Sequence, residues 1–238
     1  MKLHLLAIGV HPDDVELGCS GTILKHISIG QQVGILHLTQ GELGTRGSAE
    51  TRSSEAAEAA HILGVAVLEN LEFADGFFKN DNEHQLKLIE VIRKYQPDIV
   101  LANALDDRHP DHGRAGWLIE EACFLSGLRR IETSHEGKLQ DAWRPKTIYH
   151  YIQAYEHRPD IVVDISSFLE KKMEAIRAYK SQFYDPNSKE PQTFISTPEF
   201  MELVKARALQ QGQSIGVKYG EGFNVRRQMG VKSLSDLI

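Results

Sequence analysis

The chain reads as an α/β protein built on a mostly parallel sheet with helices on both faces. Two observations predict this. Short apolar runs alternate with helical patterns along most of the sequence, which is the signature of successive β–α units. Two His-Pro-Asp clusters, at 11–13 and 109–111, follow apolar runs at predicted strand ends. In such folds ligands bind beyond the carboxyl ends of the strands. Both clusters fall at that edge, where packing alone gives no reason for them.

The elements follow in order. Leu3–Val10 (LHLLAIGV) is a buried strand, and Ser20–Gly30 is a helix closed by Gly30. A second strand covers Gln32–Leu38, and Thr39–Ser48 is a Gly-rich loop. Ala49–Leu63, rich in Ala and Glu, is a strong helix former ended by Gly64. Val65–Leu71 is a third strand. Glu83–Tyr95 has apolar residues at Leu86, Ile89 and Ile92, a helical spacing, and Pro97 stops it. Asp98–Ala102 is a fourth strand, followed by a helix over Gly113–Leu125. Arg129–Arg144 is polar and reads as a lid, an interface segment or a surface loop. Thr147–Ile152 and Ile161–Ile165 are further strands, and Leu169–Tyr179 and Glu199–Gln210 are helices. The tail from Tyr219 has no clear period. No repeat or linker divides the chain, so residues 1–238 are expected to form one domain.

Composition narrows the function. At 238 residues the chain can bury a substantial core without disulfides. Its net charge of −6, with no basic run, argues against nucleic acid as a partner. No stretch approaches the roughly 20 apolar residues of a membrane span. Two cysteines, Cys19 and Cys123, with no CxxC pair, suit a reducing compartment. A cytoplasmic location and a small-molecule substrate are therefore expected.

Catalytic zinc takes three protein ligands and leaves one position open. His11, Asp14 and His112 supply two imidazoles and one carboxylate. Asp13 is then left over and can take a proton from the attacking water. Asp111 can orient an imidazole, and His109 can polarise a substrate oxygen or protonate a leaving amine. Taken alone, His-x-x-Asp at a turn is more often a capped helix start, with Asp13 or Asp14 as the cap. Two such clusters at strand ends need two accidents on that reading and one explanation on the metal reading. Arg46 and Arg52 could bind an anionic group by bidentate contact, although solvated arginines are more common. Lys180 and Gln182 are either substrate contacts or a polar helix end.

The motifs bear a specific resemblance. HPDDVE at 11–16 and HPDH at 109–112 resemble the LmbE-like, or PIG-L, family of zinc-dependent N-acetylglucosaminyl deacetylases. TxGExGTRG at 39–47, RxxE at 52–55, KSQF at 180–183 and GEGF at 220–223 also fit, most closely the bacillithiol biosynthesis group. The resemblance implies a Rossmann-like fold and removal of acetate from N-acetylglucosaminyl-malate. It implies one Zn2+ per subunit, with other divalent metals possible, held by His11, Asp14 and His112. It makes Asp13 the base and His109 the acid or oxyanion partner, supported by Asp111. Arg52 becomes a substrate contact, with Glu42, Arg46, Lys180 and Gln182 beside it. A homo-oligomer, hexameric in many members, is expected too. The tyrosine that some members place near the oxyanion has no counterpart at Thr197–Phe200. Three alternatives remain. One is a non-haem iron oxygenase using the same two histidines and one carboxylate. The second is a deacetylase of another N-acetylated sugar or thiol conjugate. The third is a sugar-binding module with a dead site.

Overall fold

A computed structural model describes residues 1–236. Its strands and helices alternate as β1 (Leu5–Gly9), α1 (Asp14–Ser28), β2 (Val33–Thr39), α2 (Ala49–Leu63), β3 (Val67–Phe73), α3 (Asn82–Tyr95), β4 (Ile99–Ala102) and α4 (Pro110–Leu125). A small exposed ribbon, β5 (Ser134–His135) with β6 (Lys138–Leu139), comes next. Then follow β7 (Thr147–Tyr151), β8 (Ile161–Asp164), α5 (Leu169–Arg177), α6 (Phe200–Gln213) and β9 (Gly220–Asn224). The main sheet has seven strands in the order β3-β2-β1-β4-β7-β9-β8. Strands β3, β2, β1, β4 and β7 are parallel, and β9 runs antiparallel to both β7 and β8.

Alternation along β1 splits its side chains between two cores. Leu6 and Ile8 join Leu36, Val100 and the inner faces of α3 and α4. Leu5 and Ala7 join Ile35, Leu101 and α1 residues Val15, Cys19 and Ile23. A third cluster packs α2 against α5 through Ala56, Ala59, Met173 and Ile176. Both faces of the sheet are thus covered, as a parallel sheet requires.

Two expectations are corrected and one open reading is narrowed. The first helix begins at Asp14, not Ser20, so the HPDD motif is its first turn. Gly18 and Gly21 disguise it in the sequence, and the helix does break stride at Cys19 (φ −148°, ψ 15°). The tail contributes an inner strand, β9, between β7 and the edge strand β8. Here α6 sits so close that a Cβ at Gly212 would come within 2.7 Å of the Tyr219 backbone. The polar segment 129–144 is a surface element. Arg93 holds its start through Leu128 O, Ile131 O and Thr133 Oγ1, and none of it lines the cavity described below.

Candidate active site

The parallel strands deliver their following loops to one edge. The chain leaves β1 and turns at His11–Asp13 into α1. His11 N–H donates to Asp14 Oδ2 at 3.0 Å, and Asp14 N–H donates to His11 O at 3.2 Å, which tightens this turn. Asp13 adopts φ 112°, a left-handed conformation costly for a residue with a Cβ. Its carboxylate is thereby turned away from the helix-capping role: it makes no cap hydrogen bond. After β4, His109 caps α4 and places His112 in the first turn.

These turns bring His11, Asp14 and His112 together, with one ligand atom from each within 4.8 Å of the others. His112 Nε2 is 3.1 Å from Asp14 Oδ1, and His11 Nδ1 is 3.6 Å from Asp14 Oδ2. The far nitrogens are held by two aspartates that the sequence did not single out. Asp107 Oδ2 is 2.7 Å from His112 Nδ1, and Asp75 Oδ1 is 3.0 Å from His11 Nε2. Carboxylate–histidine pairs of this kind orient metal ligands and raise their basicity. Asn103 Nδ2 and Gln153 Nε2 donate to the two oxygens of Asp14. Two nitrogens and one oxygen, each held from behind, fit a divalent metal with an open position. Only long-range assembly reveals Asp75, Asp107 and Gln153. None carries a local motif.

Asp13 lies beside this set and is engaged by Arg52. Arg52 Nη2 is 3.3 Å from Asp13 Oδ2 and donates to Pro12 O at 2.5 Å, while Nη1 donates to Gly41 O at 3.2 Å. Arg52 is buried, and its contacts fix the His11–Asp13 turn. Both terminal nitrogens already donate inside the protein, while Nε has no partner among the described residues and Arg52 still lines the cavity described below. Gly41 is required here: its φ is +67°, and a Cβ would stand 2.0 Å from Arg52 Nη1.

Burial and charge set the titration of the group. Burial drives Asp13 up to about 6 despite the Arg52 cation. Asp14 is held well below the carboxylate range because the two histidines outweigh its burial. Burial disfavours charge on His112, but Asp14 and Asp107 raise it to about 9. His11 is likewise raised against its burial by Asp111, Asp14 and Asp75. His109 is lowered by burial and by its two histidine neighbours. Its Nδ1 accepts from Asp111 N–H at 3.3 Å, so the neutral ring carries its proton on Nε2.

A cavity of about 350 Å³ opens over these groups. His11, Asp13, Asp14, His109 and His112 line it, with Arg46, Arg52 and Gln182 beside them and Phe194, Phe200 and Leu203 on an apolar side. Of the remaining expected residues, Asp111, Lys180 and Glu42 do not line it, whereas Arg46 and Gln182 do. The Asp111 carboxylate turns to Arg114 (2.7 Å), Gly76 N–H (2.9 Å) and His11 (3.8 Å) rather than to the His109 ring. Lys180 is exposed, 3.8 Å from Glu58 and outside the cavity. Glu42 is exposed, and its Oε1 accepts from Asp75 N–H. Arg46 donates to Ser188 Oγ, and Gln182 donates to Arg46 O. The RxxE and KSQF motifs meet through Glu55, which accepts from Ser181 N–H and Oγ–H at 2.7 Å each.

The chain resembles known proteins over nearly its full length. A family model described as GlcNAc-PI de-N-acetylase (PIG-L) matches residues 6–123. The diacetylchitobiose deacetylase of Thermococcus kodakarensis is 33% identical over 229 residues, covering 92% of this chain and 81% of that protein. A probable N-acetyl-alpha-D-glucosaminyl L-malate deacetylase 2 of Bacillus anthracis is 27% identical, covering 76% and 81%. The crystal structure of a conserved protein of Thermus thermophilus superposes with a TM-score of 0.85 at 36% identity, covering 97% and 98%. Non-haem iron oxygenases with this ligand set are usually built on an all-β jelly roll, whereas this chain has a mostly parallel α/β sheet and deacetylase relatives. By its fold and its relatives, this chain belongs to the PIG-L family of deacetylases.

Proposed function

We propose that the protein hydrolyses the N-acetyl amide of an N-acetylglucosaminide, with zinc held by His11, Asp14 and His112. One observation carries this reading. Asp13 is a buried carboxylate beside a complete two-histidine, one-carboxylate set that does not need it as a ligand. A divalent ion in that set supplies Lewis acidity and makes water a better nucleophile near neutral pH. Asp13 accepts the proton of the attacking water as its oxygen adds to the amide carbon. His109 lines the cavity, and its Nε2–H donates to the oxygen on which negative charge gathers. When the C–N bond breaks, Asp13 returns its proton to the departing amine. The products are acetate and a free amino sugar. Arg52 acts as a positioning residue that locks Pro12 and Asp13.

The resemblance points to a malate glycoside, with Arg52 as its reader. Arg52 and Arg46 are both engaged inside the protein, and the 33% relative acts, by its name, on diacetylchitobiose. A neutral amino-sugar aglycone is therefore favoured over malate. The test is acetate release by the zinc-loaded protein from diacetylchitobiose, N-acetylglucosamine and N-acetylglucosaminyl-malate. Turnover of the disaccharide above the malate glycoside is expected. A preference for the malate glycoside would return the substrate to the bacillithiol type. No acetate from any of the three would overturn the reading.

A further inference from the structure

We propose that Phe194 is the sugar-stacking platform of the cavity, with Arg108 as the cation that fixes its ring. This rests on the deacetylase reading for the class of ligand but stands on its own geometry. Phe194 lies in the irregular segment between α5 and α6 and lines the same cavity as His109. It is 51% exposed, so its ring is open to a ligand. Its ring is not loose. The Arg108 guanidinium carbon sits over it, 4.6 Å from the centroid, and the Phe200 ring lies nearly perpendicular to it at 5.8 Å and 70°. Phe200 is in turn stacked on Phe183 at 6.0 Å.

The segment itself is strapped down. Arg46 Nη2 donates to Ser188 Oγ at 2.9 Å, Arg46 Nε is 3.4 Å from Glu190 Oε2, and Thr193 N–H donates to Ser196 Oγ at 2.7 Å. In this proposal the ring face opposite Arg108 is the one offered to the ligand. That face carries negative quadrupole potential. A pyranose ring offers a patch of axial C–H groups that is weakly positive and apolar, and it matches such a face. Arg108 directly precedes His109 in the chain, so the platform and the proposed proton donor share one loop. The sugar ring laid on Phe194 is thereby referred to the group that must meet its 2-acetamido oxygen.

The experiment compares wild type, Phe194→Ala and Phe194→Trp. Acetate release from diacetylchitobiose gives kcat and KM, and calorimetry with glucosamine gives product binding without turnover. Zinc content is measured on each protein. Phe194→Ala should raise KM about 10-fold, the scale of one aromatic contact, with a much smaller change in kcat and full zinc content. Glucosamine binding should weaken in parallel, and Phe194→Trp should restore both. Unchanged KM and unchanged glucosamine affinity in Phe194→Ala would overturn the proposal. If wild type released no acetate yet bound glucosamine in a Phe194-dependent way, the platform would stand and the deacetylase reading would fall. A wild type that binds no glucosamine would sink the platform.

Discussion

At the scale of single residues, two side chains carry testable chemistry. Asp13 sits at φ 112°, a conformation that costs a non-glycine residue about 1–3 kcal/mol. The surrounding bonds from Arg52 hold it there. Asp13→Asn keeps the shape and removes the base, so turnover should fall about 100-fold or more, the usual scale for a positioned acid–base group, while metal content stays full. Near-normal turnover in that variant would refute the role. Should Asp13→Asn lose the metal and Asp14→Asn retain it, the two aspartates would be exchanged. His37 makes a different prediction. It is buried on β2, its Nε2 has no partner among the described residues, and burial lowers it to about 3. The native imidazole is therefore neutral at pH 5, whereas in the unfolded chain it takes up a proton below about 6.5. Its contribution is complete above that value and shrinks as the pH falls, by about 2 kcal/mol at pH 5. His37→Asn lacks this loss. The stability gap between wild type and variant, read from urea unfolding, should narrow from pH 7 to pH 5. A constant gap would mean that His37 is not held neutral.

At the scale of elements, α1 shows how a broken helix is made safe. The irregular residue Cys19 frees a carbonyl before it and amides after it, groups that need partners when buried. Lys172 from α5 donates to Leu17 O at 2.8 Å. Glu221 from β9 accepts from Gly21 N–H at 2.9 Å, and from Thr22 N–H at 2.6 Å and its Oγ–H at 2.7 Å. The two side chains pair at 2.6 Å, and each residue is only 3% exposed. The GEGF motif was visible in the sequence, but its job was not, because its partners are 200 residues upstream and on another helix. Removing one member of a buried pair leaves an uncompensated charge and costs about 3–5 kcal/mol. Glu221→Ala and Lys172→Met should each lower the unfolding free energy by that amount. The double variant should lose much less than their sum, because the stranded charge is gone. Strict additivity would show that the two side chains act independently.

At the scale of the whole molecule, legibility followed range. The strands from β1 to β4 and α2 were readable from local periodicity, and His11, Asp14 and His112 from two short motifs. β9 escaped because GEGFN has neither alternation nor β-branched residues, and it forms only where β7 and β8 leave a slot. Asp75 and Asp107 escaped because a lone aspartate in a loop has no signature until folding sets it behind a histidine. On the proposed reading, the same folding gives the metal a global role. His11 and Asp14 belong to the β1–α1 turn, and His112 to α4 on the opposite face of the sheet, so a bound ion ties the two layers together. A ligand that binds only the native state at 100 times its Kd adds about 2.7 kcal/mol. For a chain of this length each kcal/mol moves Tm by roughly 2–4 °C, so zinc should raise it by about 5–10 °C over the chelated protein. His112→Ala should abolish most of that rise; it also strands the buried carboxylates of Asp14 and Asp107, so the chelated Tm falls as well, and the difference between the zinc and chelator values of each protein is the quantity to compare. Equal melting temperatures with zinc and with chelator in wild type would show that these three residues do not hold the ion.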